Sequence, residues 1–186
     1  MQLKVFPIGS SHITNDLAIG LKSSIEAADI IKLSFGCALP KGVPTREMVN
    51  LNDINEDLKG TVSKRFIAEI IESRLSEIFE LMNEELKQIS KAGQLPAGVV
   101  LVGNGAKLPG IVELAKQELK LPSQIGIPQL SEIEISNTDV SSQLEDPEFA
   151  VGLGLLLCAK DQYQNLKGSR VGGRSFISKI FKSFLP

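Results

Sequence analysis

From Ser63 to Ser90 the chain runs without a single glycine or proline, and Phe66, Ile67, Ile70, Ile71, Leu75, Ile78, Leu81, Met82, Leu86 and Ile89 recur at steps of one, three and four. That spacing predicts one long helix with an apolar side. Such a helix is stable only when other elements cover that side, so the rest of the chain must be arranged around it. Downstream, Gly93 to Pro96 ends the helix, and Gly98 to Val102 (GVVLV) is an apolar run of the length of a buried parallel strand. Gly103-Asn104-Gly105-Ala106 then turns the chain, with Asn104 as a residue that tolerates a left-handed backbone. Ile111 to Leu119 (IVELAKQEL) follows Leu108-Pro109-Gly110 as a helix, and a strand is expected around Ser123 to Ile127. The sum is a β-turn-α-β unit, hence an α/β fold.

Upstream, Lys4 to Ile8 is expected as a short strand, Ile13 to Leu21 as a helix with a polar start, and Ile25 to Phe35 as a helix closed by Gly36. Cys37 to Gly60 carries prolines, glycines and scattered polar residues, which predicts loops and short strands. Near the C-terminus, Asp146-Pro147-Glu148 is a helix start, with a capping acid and proline in the first turn. Phe149 to Ala159 (FAVGLGLLLCA) is apolar on every side and is expected as a core helix. Cys37 and Cys158 stand in apolar contexts far apart and are expected as buried thiols of a reduced compartment. The one histidine, His12, reads as a helix-start residue, and with two cysteines it cannot supply a His-based or structural zinc site. The N-terminus lacks the pattern of a signal peptide, and no apolar run is long enough to span a bilayer, so the expected location is cytoplasmic.

The charge is polarised. Lys167 to Pro186 holds five basic side chains and no acid, which leaves the preceding residues at a net charge of about −7. If Gly173 onward is helical, Phe176, Ile177, Ile180, Phe181, Phe184 and Leu185 gather on one side, with Arg174, Lys179 and Lys182 on the other. Such a segment suits an anionic lipid interface, although a helix docked on its own protein has the same pattern. Residues 161–172 read as a flexible linker that lets the segment leave the globule.

A glycine turn between strand and helix can present backbone N–H groups to a phosphate or ribose. By pattern alone a purely structural turn is favoured: a dinucleotide fingerprint would need glycine at Leu108, and a Walker A loop would need Gly-Lys-Ser/Thr. A broader match adds to this. GSSHITNDLAIGL at 9–21, EAADIIKLSFGCAL at 26–39, SKRFIAEIIESRLSEIFELMNEEL at 63–86, VVLVGNGAKLPGI and the later DPEFAVGLGLLL resemble, in order and spacing, the second half of the FtsA family of actin-like bacterial division proteins. The terminal basic segment is similar to that family's membrane-targeting helix.

The resemblance implies an actin/Hsp70-like (ribonuclease H-like) half-module, with subdomain 2A at 1–9 and 76–160, subdomain 2B at 10–75, and an amphipathic membrane-targeting helix at 173–186. It implies ATP with Mg as cofactor of the whole protein, gripped by two glycine-rich hairpins that would precede Met1 in a longer chain. Only the adenosine side would remain here, with Gly103, Asn104, Gly105 and Lys107 at the turn and Asp29 and Lys32 facing ribose and base. The family usually has glycine at Asn104 and glutamate at Asp29, departures expected to weaken ATP binding. Catalysis by this chain alone is not expected. The implied partners are the C-terminal peptide of the tubulin-like FtsZ, other copies in an actin-like filament, and an anionic membrane at the division site, on the inner face of the cytoplasmic membrane, with no nucleic acid. Lys64, Arg65 and Arg74 on the long helix are the residues expected to meet the FtsZ peptide, the alternative being a solvated face paired with Glu69 and Glu77. A pilus-assembly adaptor, an actin-like chaperone or sugar-kinase relative, and a nucleic-acid binder using the basic tail are the competing classes.

Overall fold

A computed structural model describes residues 3–55, 58–130 and 143–168, with side chains described through Tyr163. The chain forms two compact units, residues 1–127 and 128–186.

In the first unit the helices begin where the sequence offers caps. Helix α1 (Ser10–Leu21) starts after Gly9, whose N–H donates to Nδ1 of His12 at 3.2 Å, so the histidine serves the helix start as expected. Helix α2 (Ile25–Phe35) is capped by Ser24, whose Oγ accepts from the Ala27 N–H at 3.2 Å, and it stops at Gly36. Strand β1 (Met48–Asn50) pairs antiparallel with β2 (Thr61–Ser63), Val49 lying opposite Val62. Ser63 then caps helix α3 (Lys64–Gln88) by accepting from the Phe66 N–H. Strand β3 (Val99–Leu101), helix α4 (Ile111–Leu119) and strand β4 (Ser123–Ile125) follow, and β3 pairs parallel with β4 in the register Val99 to Ser123 and Leu101 to Ile125. The expected β-turn-α-β unit is present.

Helix α3 is the axis of this unit. Its buried Ile67 and Ile71 meet Leu17 of α1 and Ile31 of α2 in one core, which continues through Leu75 and Phe79 to Leu114 and Leu119 of α4. Asn83 donates to the Glu118 carbonyl at 2.8 Å, fixing the far half of α3 on α4. The boundary expected between residues 75 and 76 falls inside this unbroken helix.

Four local expectations differ from what is observed. Lys4 to Ile8 is irregular: Leu3 and Val5 are 83% and 78% exposed, and among the described residues no strand pairs with them. An alternating pattern gains nothing without a ladder partner. Gly103, with φ +90°, takes the left-handed backbone at the turn, and Asn104 does not. Cys37 is half-buried and Cys158 exposed, both as free thiols. The bulk of a helical apolar run decides nothing until a partner covers it.

The second unit shows the same lesson. Asp146 caps the turn Pro147–Phe149 through the Glu148 N–H, and helix α5 (Ala150–Gly168) follows. The expected core helix buries Leu153 but leaves Val151, Leu155 and Leu156 60%, 66% and 65% exposed. Residues 161–168, expected as the start of a flexible linker, continue α5, because nothing between Lys160 and Lys167 breaks a helix. Among the described residues no helix is long and apolar enough to cross a membrane.

Candidate functional site

The N-terminal turns of α1, one face of α2 and the loop between β3 and α4 enclose a cleft of about 360 Å³. It is lined by Ser10, Ile13, Asp29, Lys32, Leu33, Asn104, Gly105, Lys107, Leu108 and Pro109. Five of the six residues expected to hold a nucleotide therefore meet here, although they come from segments far apart in sequence. Gly103 is not in the wall; its positive φ redirects the chain so that Asn104 to Lys107 can form a 3-10 turn along it. The Ala106 N–H donates to the Gly103 carbonyl, which leaves the amides of Asn104 and Gly105 ahead of the turn's own ladder. The loop sits close against α1: a Cβ on Gly105 would lie 3.5 Å from that of Ser10.

Asp29 and Lys32 are one turn apart on α2, so their side chains share a face. Lys32 Nζ donates to Asp29 Oδ1 at 2.6 Å and to Thr14 Oγ1 at 2.7 Å, and the Thr14 hydroxyl donates to the same Oδ1 at 3.1 Å. Lys32 is largely covered, whereas Asp29 keeps 47% of its side chain exposed. The hydrogen bond from Lys32 holds the Asp29 carboxyl below its ordinary value, burial opposes this, and Thr14 reinforces it. Thr14 is buried and was missed by motif reasoning; its place four residues after Ser10, on the side of α1 turned toward the other helices, was the available signal.

The cleft fits the adenosine part of a nucleotide. Its volume lies near the small end of ligand pockets, about 300 to 1,000 Å³, and apolar Ile13, Leu33, Leu108 and Pro109 alternate with a few polar groups, as a heterocycle and a sugar require. The fit does not extend to a metal. Asp29 is the one carboxylate in the wall and is bonded to Lys32, and among the described residues no cluster of three or more acidic, histidine or cysteine groups could hold an ion.

Lys64, Arg65 and Arg74 are all on α3 but do not form one face. At about 100° per residue, Arg65 and Arg74 point in roughly opposite directions, and Lys64 is about 80° from Arg74. Lys64 pairs with Glu47 at 2.8 Å and lies 5.7 Å from the Phe35 ring centroid; Arg65 pairs with Glu69 at 3.2 Å. Arg74 is held more firmly. Its Nε and Nη2 grip both oxygens of Asp16 at 2.5 and 2.8 Å, and Nη1 donates to Glu77. Hydrogen bonding to Asp16 raises the guanidinium above its already high ordinary value. With Glu69, Ile70 and Ser73 these groups border an open depression of about 380 Å³. The ion pairs to Glu69 and Glu77 are those of the solvated-face alternative; the pair to Asp16 was not anticipated. Arg174, Phe176, Ile177, Lys179, Ile180, Phe181, Lys182, Phe184 and Leu185, expected to meet the membrane, lie outside the described residues.

Comparison with known proteins supplies the family. A family model described as cell division protein FtsA matches residues 1–154. The FtsA of Borreliella burgdorferi is 31% identical over 97% of this chain and 43% of its own length, that of Pseudomonas aeruginosa 29% over 94% and 40%, and that of Bacillus subtilis 30% over 95% and 36%. The chain thus spans less than half the length of these relatives. Among solved structures, MreB5 of Spiroplasma citri bound to ADP superposes with a TM-score of 0.61 at 17% identity, over 86% of this chain and 46% of that one, and the AMPPNP-bound form matches with the same TM-score over 84% and 45%. With its helices gathered around a β-turn-α-β unit in an actin-like α/β half-module, this chain belongs to the FtsA family of cell division proteins.

Proposed function

We propose that this chain is the adenosine-facing and partner-facing part of a cell-division adaptor. It takes an adenine nucleotide into the cleft between α1, α2 and the 103–109 loop, binds the C-terminal peptide of FtsZ, and uses residues 173–186 to hold the division ring at the inner face of the cytoplasmic membrane. Copies associate through the actin-like fold into filaments. The observation that carries this reading is the convergence of Asp29, Lys32, Asn104, Gly105 and Lys107 on one cleft in a chain of this family. Asp29 and Lys32 meet the sugar and base, and the turn carrying Asn104, Gly105 and Lys107 closes the adenosine side of the site. No residue is assigned a catalytic role, and ATP with Mg is assigned to the site as a longer chain of the family would complete it. A peptide lying across α3 can reach Lys64 with Arg74, or Arg65, but not all three at once.

Liposome co-sedimentation tests the membrane part. The full chain is expected to sediment with anionic vesicles and a chain lacking 173–186 to stay in solution, because the segregated phenylalanines and lysines supply both apolar burial and charge attraction. Equal sedimentation refutes the anchor. For the cleft, calorimetric titration with ADP is expected to give binding that Asp29→Asn and Lys32→Met each weaken; affinity unchanged in both variants removes the nucleotide from this cleft. Binding by a nucleic acid that survives replacement of Phe176, Phe181 and Phe184 by serine, while vesicle binding is never seen, would favour the nucleic-acid class instead.

A further inference from the structure

Behind the polar end of the cleft, outside its lining, stands a group that no motif assigned. Thr14 is 4% exposed, and its hydroxyl both accepts from Lys32 Nζ at 2.7 Å and donates to Asp29 Oδ1 at 3.1 Å. A hydroxyl has one proton to give, and here it goes to Oδ1, which already accepts from Lys32. Among the described residues no hydrogen bond reaches Asp29 Oδ2. Lys32, with three donors, has used two, on Thr14 and Asp29.

We propose that Thr14 is a positioning residue of the cleft: by engaging Oδ1 and one ammonium proton, it sets the carboxylate so that Oδ2 of Asp29 and the third N–H of Lys32 form a fixed acceptor and donor pair for the ligand. An acceptor beside a donor suits a vicinal diol, in which one hydroxyl donates to the carboxylate and its neighbour accepts from the ammonium. The ligand class is a ribonucleoside phosphate rather than its 2′-deoxy counterpart. This assignment rests on the nucleotide reading of the cleft. A salt bridge alone would leave the Asp29 carboxylate free to rotate, since its side chain is half exposed; the buried hydroxyl on a separate helix removes that freedom.

The test uses the full chain with Thr14→Val, which keeps the shape and removes the hydroxyl, and Thr14→Ser, which keeps the hydroxyl. Asp29 is followed by carbon NMR titration without ligand, and ADP and 2′-deoxy-ADP are titrated calorimetrically. The charged group facing Asp29 on its own helix is Lys32, and Lys107 lines the same cleft from the loop. Thr14→Val is expected to raise the Asp29 midpoint and to weaken ADP about fivefold, the order of one lost hydrogen bond, while 2′-deoxy-ADP changes less; Thr14→Ser restores both. An Asp29 titration unmoved by Thr14→Val in a variant with a native spectrum overturns the assignment, as does equal weakening of ADP by Val and Ser. The two readings fail separately. Absence of ADP binding by the unaltered chain overturns the nucleotide reading, whereas the ligand-free titration judges the role of Thr14 by itself.

Discussion

The pair between Asp16 and Arg74 ties α1 to α3, and its contribution can be worked from its geometry. Two N–H groups of one guanidinium meet the two oxygens of one carboxylate at 2.5 and 2.8 Å, and each side chain is only 24% exposed. An exposed ion pair contributes about 0.2 to 1 kcal/mol, and a hydrogen bond to a charged group about 1.5 to 3 kcal/mol. Partial burial and the bidentate fit put the coupling between these values, at about 1.5 kcal/mol. The perturbation is a double-mutant cycle of Asp16→Ala and Arg74→Ala, measured by urea unfolding. Glu77 is present in all four proteins, so its bond to Arg74 is kept in the natural chain and in Asp16→Ala, lost in the other two, and cancels from the coupling energy. Each single variant is expected to lose about 2 kcal/mol, because the partner left behind is a partly covered charge. The double variant should lose clearly less than the sum. High salt should lower the coupling only modestly, since the pair is shielded from the counterion atmosphere by its neighbours. A coupling under about 0.5 kcal/mol would refute the claim that this contact clamps the two helices. The same variants test the proposed FtsZ-peptide contact: if Arg74 touches the peptide, Arg74→Ala should weaken peptide binding more than Asp16→Ala, which loses the clamp but keeps the guanidinium.

Three further outcomes follow from particular sites. Because the Asp29 carboxyl is held below its ordinary value of 3.8, its contribution to stability is present above that pH and disappears as the pH falls through the lowered folded value; the stability gap between the natural chain and Asp29→Asn, from urea midpoints against pH, should close on acidification and not on raising the pH. Gly98→Ala should be far more damaging than Gly103→Ala in the same assay: both have positive φ, costing about 1 to 2 kcal/mol of strain, but a Cβ at Gly98 would fall 2.1 Å from the Pro122 carbonyl oxygen, while Gly103 has nothing within 4 Å. Phe79→Ala should cost about 3 to 5 kcal/mol and Phe66→Ala on the same helix under about 1 kcal/mol, since Phe79 is 3% exposed and Phe66 41%; similar losses would contradict the observed facing of α3.

What could be read from the chain was mostly local. Helix α2 begins and ends where the sequence places Ser24 and Gly36, and α4 begins after Gly110, because caps and glycines act within a turn of the residues they control. The long period of α3 was equally plain, though Phe79 was not recognised among its buried residues. Elements that need a distant partner were less legible. Lys4 to Ile8 has strand-like residues but no ladder, and α5 is apolar all round yet largely exposed among the described residues. The cleft was legible through family-like motifs, which identify residues individually and say nothing of what orients them. Thr14 and Asp16 act across the gaps between α1 and its neighbours, at separations in sequence of 15, 18 and 58 residues, where no local periodicity connects the partners. The same blindness to direction led to grouping Arg65 with Arg74, which a helical angle separates.

Helix α3 has a mechanical consequence. It extends for about 37 Å at the usual rise per residue, touching α1 and α2 near one end and α4 near the other, without a glycine, a proline or a break. Such a rod resists bending, so any displacement of α1 and α2 against the 103–109 loop cannot be accommodated by a crease at mid-length. The strain must travel as a tilt of the entire shaft, and whatever grips its outer surface would register that tilt as a change of angle many ångströms from the cleft.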